Sequence, residues 1–163
     1  MTELTQQKEE DFNISDDGNA LIYCRVPKKK NDFELLNAQQ ENCLKFANEN
    51  DINFLCSYWD TGNAKTLNRY GLNQIMKACR DKSNKIKFII VDRLDVLTNQ
   101  LSDFLQLRKE LDDLGIAILS VMDPNEPGAS GKFRQNIIIA ISQFNFDRHS
   151  ELVKAGLRKK QQL

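Results

Sequence analysis

The chain has 163 residues, 40% hydrophobic and 28% charged, a composition typical of one compact domain with its own core. Its 23 basic and 23 acidic residues leave no net charge, so any binding to nucleic acid or membrane must be local. Four cysteines without a C-x-x-C pair and a single histidine exclude a zinc site, and we expect the cysteines to be small core residues and no metal to be bound.

The two ends of the chain carry opposite charge. Residues 1–19 are polar and acidic, and we expect them to form a flexible leader. Residues 1–18 have a net charge of −5, whereas residues 147–163 have a net charge of +3. The sequence therefore predicts an acidic head and a basic tail.

Strand-like and helix-like segments alternate through the middle of the chain. Apolar runs predict strands at 20–26, 52–59, 86–91 and 116–121. Apolar periodicity predicts helices at 35–47, 72–78 and 101–114. This alternation predicts an α/β domain over residues 20–130, in which helices flank a mostly parallel sheet of four to five strands.

The last segment, from Gly131 to Leu163, has no proline and predicts one helix of 33 residues, on the order of 50 Å long. Its first half is apolar on every side, so it must be buried against its own sheet and against a second surface. We expect that surface to be another copy of the chain. The predicted dimer interface consists of Phe133, Ile137, Ile138, Ile141 and Phe144.

Polar residues gather where the predicted strands end, which is where α/β folds place their chemistry. These residues are Tyr23, Arg25, Asp60, Arg69, Arg93 and Asp95. Clustered guanidinium groups favour an anion site, most commonly for phosphate, although ion pairs at the strand ends would give the same pattern. No glycine-rich nucleotide motif follows the first strand, so no cofactor is expected.

The order of motifs resembles the catalytic domain of serine recombinases, the resolvases and invertases, over about residues 20–157. Residues 23–26 (YCRV) are similar to the family's Tyr-x-Arg-Val, and residues 94–97 (LDVL) to its Leu-Asp-Arg-Leu. Three further stretches resemble the family in the same order: residues 37–39 (NAQ) its Leu-x-x-Gln, 60–72 (DTGNAKTLNRYGL) its Asp-x-x-Ser-Gly…Asp-Arg-Pro-Gly-Leu, and 140–144 with 154–157 its long helix.

The resemblance also implies a degenerate active site. The family needs a serine directly after Tyr-x-Arg-Val as the nucleophile that attacks a DNA phosphodiester, and this position is Pro27. Two family arginines align with Val96 and Asn99. Other family residues align with Asn63, Asn145 and Phe146, so we expect a chain without catalytic activity.

Four site residues match the family one for one: Tyr23, Arg25, Arg69 and Asp95. The resemblance implies that Arg25 and Arg69 still contact phosphate and that Asp95 handles a proton or orients its neighbours. Two alternatives stay open: an active DNA-cleaving recombinase with altered chemistry, and an α/β module that binds a phosphorylated ligand.

The resemblance further implies that the terminal helix lies on DNA and contacts phosphates weakly, without reading sequence. The predicted contacts are Lys28, Lys29, Lys30, Arg148, Lys154, Arg158, Lys159 and Lys160, and the alternative for each basic run is a solvated surface. We expect no helix-turn-helix domain after Leu157. We expect a homodimer or higher oligomer, pairing with an active recombinase homologue, and a cytoplasmic location without membrane contact.

Overall fold

The computed structural model of the chain describes residues 18–28, 30–63 and 65–162. The strands are β1 (Asn19–Val26), β2 (Asn53–Thr61), β3 (Ile86–Val91) and β4 (Ala117–Ser120). The helices are α1 (Asp32–Glu49), α2 (Tyr70–Arg80), α3 (Leu101–Asp113) and α4 (Gly128–Gln161), with short 3₁₀ turns at Lys82–Asn84 and Leu94–Val96. Residues 1–17 of the predicted leader and Lys29 lie outside the described residues.

The four strands form one sheet in the order β2-β1-β3-β4, and every pair is parallel. The predicted α/β architecture is thereby confirmed. Since β1 and β3 occupy the centre, their side chains are covered on both faces, which explains why both segments are apolar at almost every position.

Alternate strand residues divide the core between the two faces of the sheet. Leu21 and Ile89 lie in a cluster with residues of α2 and α3, whereas Ile22 and Ile90 lie in a second cluster with residues of α1. Cys24, Cys43 and Cys79 are buried, Cys56 is half-buried, and all four are free thiols. The cysteines therefore act as core residues, as predicted.

Several element boundaries differ from the predicted ones. Helix α1 begins at Asp32 because Asp32 and Glu34 are favourable in the positive first turn of a helix. Strand β4 begins only at Ala117, since the N–H of Ile116 donates to the carbonyl of Leu111 and closes α3 instead. Helix α4 begins at Gly128, three residues earlier than predicted.

The 34-residue helix α4 packs mainly on α3 and on the turn Leu94–Val96, and its buried Ile139 also joins the core cluster on one face of the sheet, which agrees with the predicted packing. Gln143 fixes its position, because the Gln143 Oε1 accepts the N–H of Leu101 at the start of α3. Residues 151–162 are exposed on all sides. None of the described helices is long and apolar enough to cross a membrane.

Candidate functional site

Asp60 at the end of β2 organises the carboxyl edge of the sheet. Its buried carboxylate accepts the backbone N–H groups of Gly71 and Leu72 at 2.7 and 2.9 Å, so it caps the first turn of α2. It also accepts the hydroxyl of Tyr23 at 2.8 Å. A Cβ on Gly71 would lie 2.4 Å from the Trp59 carbonyl, so only glycine allows α2 to approach β2 this closely.

Arg69, the residue before α2, has its guanidinium group buried against backbone carbonyls. Its Nε donates to the Thr66 carbonyl at 3.0 Å, and its Nη2 donates to the carbonyl of Leu97. Its Nη1 donates to the Tyr23 hydroxyl at 2.9 Å and, more weakly, to the Val96 carbonyl at 3.4 Å. Arg69 thus ties the β2–α2 loop to the turn after β3.

Arg25, near the end of β1, spans the same two loops. Its Nη1 donates to the Gly62 carbonyl at 2.7 Å. Its Nε and Nη2 donate to the carbonyls of Val96 and Asp95 at 2.8 and 3.1 Å. Three of its five N–H groups are therefore bound to the chain's own backbone.

Gln39 of α1 holds the backbone of Arg25 in place. The Arg25 N–H donates to the Gln39 Oε1, and the Gln39 Nε2 donates to the Arg25 carbonyl, both at 3.0 Å. Strand β3 pairs with β1 only as far as Tyr23, so the backbone of Arg25 has no partner in β3. The two bonds to Gln39 take the place of that strand pairing.

Burial dominates the electrostatics of this cluster. Desolvation raises the pKa of Tyr23 far above its usual value, against the opposing charge of Arg69, so the hydroxyl stays protonated. Desolvation, together with the neighbouring charge of Arg69, lowers the pKa of Arg25. The two guanidinium groups are close enough to repel each other, and the carbonyl oxygens around them offset that repulsion.

Pro27, Val96 and Asn99 are three of the positions that the resemblance marks as altered. Pro27 follows β1 directly and is exposed. The side chains of Val96 and Asn99 are 4% and 8% exposed, and Val96 belongs to the apolar core. These three positions therefore hold one exposed proline and two buried residues.

Asp95 lies beside this cluster rather than within it. Its carboxylate pairs with the exposed guanidinium of Arg93 at 3.5 Å, while only its backbone carbonyl meets Arg25. Arg93 and Asp95 line a cleft of about 320 Å³ against α4, together with Ile138 and Ile141. Of the three arginines predicted to form an anion site, the structure joins Arg25 and Arg69 and assigns Arg93 to this separate cleft.

The other predicted residues lie on exposed surfaces. Phe133, Ile137, Ile141 and Phe144 are between 43% and 66% exposed on α4, whereas Ile138 is half-buried against the chain's own core. The predicted DNA contacts that the structure describes are all exposed: Lys28, Lys30, Arg148, Lys154, Arg158, Lys159 and Lys160. Within the described residues, no group of acidic, histidine or cysteine side chains could hold a metal.

A family model of the resolvase N-terminal domain matches residues 20–163. The chain belongs to the resolvase family. Its fold is that of the serine recombinase catalytic domain. Serine recombinases act in site-specific DNA recombination. No curated protein sequence matches this resolvase-family chain.

Solved structures show the same resolvase fold. The N-terminal catalytic domain of TP901-1 integrase is 22% identical, with a TM-score of 0.63, covering 79% of this chain and 97% of that one. A resolvase family site-specific recombinase from Streptococcus pneumoniae is 19% identical, with a TM-score of 0.61, covering 90% and 99%. The C-terminal catalytic domain of ISC1926 TnpA, an IS607-like serine recombinase, is 21% identical, with a TM-score of 0.58, covering 63% and 70%.

Two residues at the centre of the resolvase site have roles that the sequence did not reveal. The sequence places Asp60 only at a polar strand end and at the start of the motif 60–72, and Gln39 only in the motif 37–39. The available signal for Asp60 was its position between a strand and a Gly-containing helix start, since a carboxylate there can cap the helix. Nothing in the sequence indicates that Gln39 pairs with the backbone of Arg25.

Proposed function

We propose that this resolvase-family chain takes part in site-specific DNA recombination as a non-catalytic partner that self-associates through α4 and binds DNA weakly. The position of Pro27 directly after β1 carries the proposal, because the family pattern has its serine nucleophile there. Proline has no atom that can attack phosphorus, so the covalent route through a phosphoserine has no starting point.

The arginines of the site support the same proposal. A guanidinium group aids phosphoryl transfer when its N–H groups are aimed at the charge that develops on phosphate, and losing one such donor typically costs about 10²–10³ in rate. Arg69 directs its N–H groups to three carbonyls and to Tyr23, and Arg25 directs three to carbonyls. We infer that both now stabilise loops rather than a transition state.

Self-association is proposed for one stripe of α4, named here the α4 stripe: Phe133, Ile137, Ile141 and Phe144. These residues follow one another at helical spacing and are exposed. Together they form an apolar patch of the several-hundred-Å² size that soluble monomers rarely leave uncovered. Ile138 contributes less than predicted, because it already packs on its own domain.

DNA contact is proposed for the basic end of α4. Its five cationic residues are exposed, and the helix extends past the domain there: Arg148, Lys154, Arg158, Lys159 and Lys160. Such residues neutralise phosphates without reading bases, so we expect a dissociation constant of about 10⁻⁴–10⁻⁶ M at physiological salt. A partner with an intact active site would supply the chemistry, and this chain would supply the pairing surface.

Two solution measurements test the proposal together. Sedimentation equilibrium should give a molar mass above the 18.8 kDa of one chain, and a titration with random-sequence duplex should show affinity that falls steeply as salt rises. Removing residues 1–17, whose net charge is −5, should tighten binding. A chain that stays monomeric at high concentration, or a leaderless chain that binds no DNA at low salt, would contradict the corresponding part.

A further inference from the structure

The outer edge of β2 is unusual for an edge strand. Within the described residues β2 pairs with β1 on one side and with no strand on the other. Residues 53–59 contain no charged residue, proline or glycine. Trp59 and Leu55 are 60% and 46% exposed. Proteins usually protect such edges with lysines or prolines, and this edge has neither.

The backbone groups that face outward can be assigned from one hydrogen bond. The N–H of Gly62 donates to the Val26 carbonyl of β1 at 2.9 Å. Because successive residues of a strand point their backbone groups to opposite sides, Ser57, Trp59 and Thr61 point theirs away from β1. An extra residue at Leu55 interrupts the register with β1, so the regular outward-facing segment is Ser57–Thr61.

We propose that this segment is a second self-association surface, which pairs antiparallel with the same segment of another copy about a two-fold axis at Trp59. In this register Ser57 lies opposite Thr61 of the partner subunit, and about six inter-strand hydrogen bonds form. Trp59 lies opposite its own symmetry mate, and aromatic cross-strand pairs stabilise sheets.

A second copy fits this edge better than another kind of partner because the pairing is self-complementary. Asp60 is the one charged residue of the segment Ser57–Thr61, and its carboxylate is buried in its own domain, where it accepts the Tyr23 hydroxyl and the N–H groups of Gly71 and Leu72. The exposed groups of two copies therefore meet without like-charge repulsion. The segment is distinct from the α4 stripe. A chain with two separate two-fold surfaces can link dimers into larger closed or open assemblies.

Cysteine crosslinking tests the register. Ser57→Cys and Thr61→Cys variants are each prepared with Cys56→Ser, which removes the half-buried native thiol of the same strand, and with Ile141→Asp, which removes the contribution of the α4 stripe. They are treated with a short bismaleimide alone and as an equimolar mixture. In the proposed register Ser57 lies opposite Thr61 only across two different chains, whereas two identical cysteines stand about 13 Å apart. The mixture should give about tenfold more covalent dimer than either variant alone.

Equal crosslinking of the mixture and the single variants, or none in any of them, would overturn the proposal. Trp59→Lys places two charges at the axis and should abolish the mixed crosslink. The matched control is Tyr70→Lys, at a residue 78% exposed in α2, which should leave the crosslink unchanged. If the crosslink forms only after residues 1–17 are deleted, the occupant of the edge is the chain's own leader and the proposal is wrong.

Discussion

The strand-end cluster, formed by Tyr23, Arg25, Asp60 and Arg69, has its polar groups hydrogen-bonded within the chain, whereas helix α4 leaves apolar and basic side chains exposed. In the cluster, the groups of Tyr23, Asp60 and Arg69 bond to one another or to backbone within the same chain. Within the described residues, the α4 stripe and the basic end of α4 have no comparable cover. Residues that match a catalytic pattern can therefore stabilise the fold, whereas the exposed surfaces of α4 are available to a partner.

The largest effect is expected from Asp60→Ala, which tests whether the cluster is structural. The change leaves the Tyr23 hydroxyl and the N–H groups of Gly71 and Leu72 without their acceptor in a buried position. We expect the free energy of unfolding to fall by about 3–5 kcal/mol, or folding to fail. Urea unfolding measures this. The control, Asp113→Ala at an exposed surface pair, should change it by under about 0.5 kcal/mol.

Arg69→Lys tests whether Arg69 is needed for the hydrogen bonds of its guanidinium group or only for its positive charge. Lysine keeps the charge but cannot reach Thr66 and Leu97 together with the Tyr23 hydroxyl, so we expect a loss of about 2–3 kcal/mol in the free energy of unfolding. Arg93→Lys, at an exposed pair, should cost little. Equal small losses for both variants would show that Arg69 is free for a ligand.

The sequence predicts the fold well because helices and strands leave a local pattern of apolar residues. It predicts the site less well because the hydrogen bonds of the site join residues that are far apart in the sequence. The apolar runs of β1 and β3 follow directly from burial on both faces. By contrast, the partners of Arg25 are carbonyls of Gly62, Asp95 and Val96, 37 to 71 positions away. Backbone carbonyls carry no residue signature, so the sequence does not indicate these bonds, and the phosphate contact expected for Arg25 stays a prediction.

Ile141→Asp tests whether the α4 stripe mediates self-association. A carboxylate in the α4 stripe should weaken self-association at least about 30-fold, since burying an unpaired charge is unfavourable. It should barely change the unfolding of the monomer, because Ile141 is 54% exposed. Sedimentation velocity across a dilution series measures this, with Leu105→Asp as the control at an exposed leucine of α3, outside the α4 stripe. Unchanged association would exclude the α4 stripe as the interface.

Alkaline pH should destabilise the folded state through its buried thiols. Burial raises the pKa of the Cys24 and Cys79 thiols to about 12, above the ordinary value of 9.0. The folded state then holds protons that the unfolded state loses, so stability is complete below pH 9 and falls between pH 9 and 12. We expect up to about 1.4 kcal/mol per pH unit for each thiol, and Cys24→Ala should reduce the slope of unfolding free energy against pH.

The most direct test of the central claim is a search for a covalent protein–DNA adduct. The chain is incubated with supercoiled plasmid and a random-sequence duplex library, denatured, and assayed for protein-linked DNA, alongside an active serine recombinase on its own site. We predict no adduct, and none for Pro27→Ser, because the family resemblance expects arginines where this chain has Val96 and Asn99. An adduct that survives denaturation, in the unmodified chain, would contradict the claim that this site no longer performs chemistry.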